Sequence, residues 1–140
     1  MAFPGKYTQT LRAAANRIIP PDDYPGAWEA GFRDFFGDLL ILEPELVSDY
    51  VALLQSINAE AQAIHQSEFA DLESSEQDAL LRSIECGRVG TEWPRPPEFL
   101  LQMLIRHVSE SFYADPGNGG NRDGVSWRMV GYVPHEDIAE

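Results

Sequence analysis

Glu98-Phe-Leu-Leu-Gln-Met-Leu-Ile-Arg-His-Val-Ser-Glu-Ser-Phe112 runs without a break into Tyr113-Ala-Asp-Pro-Gly-Asn-Gly-Gly-Asn-Arg-Asp-Gly-Val-Ser-Trp-Arg-Met-Val-Gly-Tyr132. The first half sets Phe99, Leu100, Met103, Leu104, Val108 and Phe112 at helical period, all expected inward. The second half holds five glycines, at 117, 119, 120, 124 and 131, with two asparagines between them. Glycine loses more backbone freedom on folding than any other residue, so such a loop serves unusual turns or close approaches. Helix followed by glycine-rich coil is the pattern that decides the fold.

Working back from Phe112, the same period recurs four times. Arg88 to Pro97 is a loop broken by Gly90, Pro94, Pro96 and Pro97. Before it, Ser74-Ser-Glu-Gln77 ahead of Leu80-Leu81 reads as a helix start, with a serine side chain accepting the N3 amide. Leu46, Tyr50, Leu53, Leu54, Ile57, Ala61 and Ile64 trace a long helix, with Pro44 in its first turn. Trp28, Phe32, Phe35, Phe36, Leu39 and Leu40 form one stripe of a helix expected from Ala27 to about Leu42. Leu11, Ala14, Ala15, Ile18 and Ile19 mark a first helix from Tyr7 to Ile19, stopped by Pro20-Pro21. Three prolines and Gly26 make the connector from Pro20 to Gly26 stiff and turn-rich. Only Val125 to Val133 has room for a short extended segment. The expected fold is all-α: a small bundle of about five helices with a Gly-rich, non-helical C-terminal tail, one domain over residues 1–140.

Composition narrows the function. A chain of 140 residues with 44% hydrophobic residues suits one packed domain. The net charge of −13 argues against a nucleic-acid surface and against anionic membranes. One cysteine, Cys86, excludes an intrachain disulfide. It reads as a small residue near a helix end, with a reactive thiol as the lesser alternative. The N-terminal residues show neither an apolar core region nor a twin arginine, and the longest apolar stretch, Leu39 to Leu42, is too short to span a bilayer. The expectation is a soluble, cytoplasmic product without direct membrane insertion.

Chemical signatures are sparse. His65, His107 and His135 lack a second ligand at metal-pair spacing, although His65 and Glu68 are placed to share a helix face. No serine stands in a nucleophile elbow. The glycine-rich loop lacks the Gly-Lys-Ser/Thr ending of a phosphate cradle and the frame of a dinucleotide loop. Asp115, Asn118, Asn121 and Asp123 are close, but Gly117 and Gly119 fall where an EF-hand needs oxygens. An irregular calcium site stays open. The loop suits recognition better: Asp115-Pro116 initiates a turn, and Trp127 and Tyr132 are the amphipathic aromatics that interface centres favour. The alternative is that both pin the tail onto the protein's own helices.

Two blocks carry a resemblance. The first is Leu11-Arg-Ala-Ala-Ala-Asn-Arg-Ile-Ile-Pro-Pro-Asp-Asp-Tyr-Pro-Gly-Ala27, continuing to Glu29-Ala-Gly31. The second is Phe112-Tyr-Ala-Asp-Pro116 with Gly119-Gly-Asn-Arg-Asp-Gly124 and Trp127 to Tyr132. Phe69, Leu72, Gln77, Leu80 and Leu81 fit more loosely between them. With these blocks the chain resembles the gluconate 2-dehydrogenase subunit 3 family, small subunits of bacterial flavin-dependent sugar and sugar-acid dehydrogenases. The resemblance implies a non-catalytic accessory subunit that assists assembly or maturation of a large flavoprotein subunit. FAD would sit on that partner and haem on a cytochrome c subunit, with no cofactor on this chain. The residues themselves agree with a binding role: the candidate partner contacts are Pro20 and Pro21 in the rigid connector, and Asp115, Pro116, Gly119, Gly120, Asn121, Asp123, Trp127, Gly131 and Tyr132 in the glycine-rich tail. Relatives commonly carry a twin-arginine signal, which this sequence lacks; a periplasmic or membrane-associated location then requires carriage by a partner. The competing expectation is a free-standing helical protein that binds a sugar or sugar acid through Asp115, Asn121 and Asp123 beside Trp127.

Overall fold

The computed structural model describes residues 5–21 and 25–112, and among them the secondary structure is helical throughout. Five α-helices follow in order: α1 (Thr8–Ile18), α2 (Arg33–Leu42), α3 (Leu46–His65), α4 (Ser74–Glu85) and α5 (Pro97–Phe112). Short 3-10 turns, Gly5–Tyr7 and Phe69–Asp71, precede α1 and α4. The expected bundle is therefore present, while the glycine-rich tail lies outside the described residues.

The core is built from the apolar stripes that the period marks. Leu11, Ala14, Phe32, Tyr50, Leu53, Leu54, Ile57, Phe69, Ile84, Leu100 and Leu104 are all at most 1% exposed. Ala14 and Ala15 are fully buried on α1, which packs against both α4 and α5. A polar seam ties the helices without exposing them. Asn58 donates from Nδ2 to Thr10 Oγ1 at 2.9 Å and accepts the Phe69 N–H at 3.0 Å. Gln77 then donates to the Phe69 carbonyl at 2.9 Å. Such partners are what permit Thr10 and Gln77 to be buried.

Five expectations need correction. The helix from Ala27 to Leu42 is broken: residues 28–32 form a wide π-turn, with the Phe32 N–H reaching the Ala27 carbonyl at 3.0 Å. Gly31 stands there at φ 127°, a conformation that side chains resist, and it re-aims the chain before α2. The cap of α4 is Glu73, not a serine; the Glu76 carboxylate accepts the Glu73 N–H at 3.1 Å, closing a capping box one residue earlier. Gln77 is thereby free for its internal bond. Ile64 and Phe99 are 56% and 47% exposed, since each stands in a terminal turn of its helix. His65 pairs with Glu76 at 3.7 Å, whereas Glu68 accepts a bond from Gln62. Pro97 opens α5 and does not close the preceding loop, as its missing N–H allows at a helix start.

Candidate functional site

Pro20 and Pro21 are both exposed, on a connector that is locked at its ends. The Ala27 N–H donates to the Ile19 carbonyl, and the Trp28 N–H to Asn16 Oδ1, each at 2.9 Å. Gly26 is obligatory in this fold-back: a Cβ there would stand 2.7 Å from Asn16 Oδ1 and 2.8 Å from Pro21 Cδ. Arg12 and Glu29 add an ion pair at 2.9 Å across the junction. The connector thus presents two rigid prolines beside the start of the π-turn. Asp115, Pro116, Gly119, Gly120, Asn121, Asp123, Trp127, Gly131 and Tyr132 lie outside the described residues. The calcium and sugar-binding expectations rest on the same stretch.

The aromatic run that follows the connector builds an apolar groove. Trp28, Phe36, Leu40 and Ile41 wall one side, Leu11 and Val47 the other, enclosing about 510 Å³. α2 contributes its face at 33, 36, 37, 40 and 41, a helical i, i+3, i+4 series. The groove floor is rigid: Phe36 meets Phe32 at 5.8 Å between ring centroids and Tyr50 edge-on at 4.8 Å. Ile41 at the groove's edge and its neighbour Leu42 are each 78% exposed. They are two consecutive bare aliphatic side chains on an otherwise acidic molecule.

The buried ionisable groups are engaged internally. Tyr50 stacks on His107 at 5.8 Å, and its hydroxyl shares a 2.7 Å hydrogen bond with His107 Nδ1. Burial, reinforced by the Arg106 charge, pushes the His107 imidazole down to about 4, and burial lifts the Tyr50 phenol above its ordinary value. Both are neutral at pH 7. Glu60, 2% exposed, takes the N–H groups of Gly90 at 3.0 Å and Thr91 at 2.9 Å, the Thr91 hydroxyl, and the Trp93 indole N–H at 3.1 Å. Burial alone would raise its proton affinity, but these donors outweigh it and hold the carboxyl below its ordinary value. Sequence reading marked neither pair, because partners thirty or more positions apart leave no local period. Cys86 is exposed at the end of α4, as its position before Gly87 suggests. Among the described residues no group of three or more His, Cys, Asp or Glu is arranged to hold a metal ion, and no helix is long and apolar enough to cross a membrane.

The family model of gluconate 2-dehydrogenase subunit 3 matches residues 6–134. The chain belongs to that family. Its match takes in the connector, the groove and both sequence blocks, the glycine-rich one included. No curated protein and no solved structure matches the chain. Membership makes it a small-subunit type of a multi-subunit gluconate 2-dehydrogenase complex, and hence a chain with partner subunits.

Proposed function

We propose that this subunit 3 family member is a non-catalytic docking partner that assists assembly or maturation of a large FAD-dependent gluconate or sugar dehydrogenase subunit. The observation that carries the reading is the exposed Ile41-Leu42 pair at the end of α2, in a chain whose family is a component of a larger complex. The interior groups with shifted proton affinity support it, since Tyr50, His107 and Glu60 spend their hydrogen bonds on holding helices and a loop in place. The rigid connector at Pro20 and Pro21 offers a second contact strip. In this reading FAD belongs to the large subunit, and haem to a cytochrome c subunit that receives its electrons.

Co-expression with the flavoprotein dehydrogenase subunit of the same genome tests it. A tagged copy of this chain is expected to retain the large subunit with its flavin, and Leu42→Asp is expected to lower that retention about tenfold while leaving the thermal transition unchanged. Equal yield and flavin content of the large subunit without this chain, together with no co-elution, would overturn the proposal.

A further inference from the structure

We infer that the groove between α1, α2 and the start of α3 seats an apolar segment of the large subunit, with a carboxylate of that segment meeting Arg33. The inference rests on the docking reading above and names what docks and where. Leu11, Trp28, Phe36, Leu40, Ile41 and Val47 give the groove its apolar walls, and Arg33 is the one charged side chain of its lining among the described residues. On a chain of net charge −13, a lone cation beside an apolar trough asks for one acid among apolar side chains. The contact Arg33 already makes is weak. Its Nε lies 3.6 Å from its sequence neighbour Asp34, and both side chains are at least half exposed. A pair of that kind is worth little in water and yields to a carboxylate brought over the groove by apolar contacts. A second copy would bring its own Arg33 and a like net charge, and so meets repulsion.

Spacing along α2 gives the occupant its shape. Residues 33, 36, 37, 40 and 41 face the groove, which sets Arg33 about 12 Å along the axis from Ile41 at the helical rise per residue. The acid of the docked segment is therefore expected roughly two helical turns from the side chains that cover Ile41. Midway, Gly37 keeps the trough open, with no atom within 4 Å of the site of a Cβ. Glycine inside a helix costs stability relative to alanine, and this one has no left-handed φ to justify it. What it supplies is room for another chain close to the α2 backbone. Leu42, as exposed as Ile41 yet outside the lining, carries the apolar face beyond the trough. A small ligand filling the groove would leave Leu42 bare, whereas a segment of a partner subunit covers both.

Photo-crosslinking in the full chain, co-expressed with the flavoprotein dehydrogenase subunit of the same genome, tests the seat. The probe is p-benzoylphenylalanine in place of Ile41; the comparison puts it in place of Ile64, exposed at the far end of α3. Position 41 is expected to link to the large subunit at least tenfold more than position 64, within a peptide that contains Asp or Glu. Arg33→Glu and Gly37→Leu are each expected to lower retention of the large subunit about tenfold with the helix content unchanged. Arg106→Glu, the same charge change on α5, is expected to leave retention as it was. If the native chain retains the large subunit but neither groove variant weakens it, or both positions link equally, the seat is overturned and the docking reading stands. No retention by the native chain overturns both. Equal losses from Arg33→Glu and Arg106→Glu would overturn the pairing of Arg33 with an acid. A link from position 41 to a second copy would give the groove to self-association. An amphiphile held by the isolated chain in native mass spectrometry, and lost in Gly37→Leu, would give it to a small ligand; either result overturns the inference.

Discussion

The carboxylate of Glu60 on α3 receives the indole N–H of Trp93 at 3.1 Å and, in the same grip, the backbone N–H groups of Gly90 and Thr91. One side chain thereby fixes the proline-interrupted loop between α4 and α5 against the middle of the longest helix. Glu60→Gln keeps the shape but turns an amide NH2 toward donors. It is expected to cost about 2 kcal/mol, the price of leaving buried donors unmet. Urea unfolding measures the loss, and Trp93 emission is expected to shift to the red. An unchanged midpoint would remove the loop-clamping role.

Acid is expected to weaken the fold through His107. Its folded imidazole titrates at about 4 against 6.5 in the unfolded chain, so below 6.5 the unfolded state takes up a proton that the folded state declines. Stability is then present in full above pH 6.5 and falls as pH drops toward 4, by up to about 3 kcal/mol. His107→Gln, which keeps a hydrogen-bonding side chain for Tyr50 but does not titrate, is expected to flatten stability across that window. Glu60 acts lower: its depressed carboxyl loses its contribution only as pH falls through its folded value, below the ordinary carboxylate range.

Two glycines of one segment are expected to answer oppositely to alanine. Gly31→Ala forces a side chain into φ 127° and is expected to destabilise by about 1–2 kcal/mol. Gly37 sits inside α2 with no atom within 4 Å of the site of a Cβ. Gly37→Ala is expected to stabilise by about 0.5–1 kcal/mol, since alanine narrows the unfolded ensemble and favours the helix. Thermal melting of both variants checks the pair, and a stabilised Gly31→Ala would deny that the π-turn depends on glycine.

Leu42→Asp is expected to change stability by no more than about 0.5 kcal/mol, because an exposed side chain has little to lose on folding. Helix content and melting are the checks. A large loss would mean that Leu42 serves the fold and not a partner.

Most of the architecture was legible because helical period depends only on neighbours. Leu53, Leu54 and Ile57 on α3 and Leu100, Leu104 and Val108 on α5 lie where their spacing predicts. Period fixes a face, however, and not how far a neighbouring helix covers it, so Ile64 and Phe99 emerged into solvent, Phe99 with the Arg95 guanidinium 4.5 Å over its ring. A lone glycine inside an aromatic stripe also looks helical, which hid the turn at Gly31. The site was less legible. Pro20 and Pro21 were found from composition, but the groove arises where α1, α2 and α3 converge, and no stretch of sequence contains it.

Phe36 belongs to two environments at once, one face of its surroundings being the open trough and the other the sealed Tyr50–His107 stack. Whatever settles over that ring presses, through two aromatic plates, on α5. Occupancy of the trough and the packing of α3 on α5 are therefore mechanically joined, and a leucine at position 36 would loosen both together.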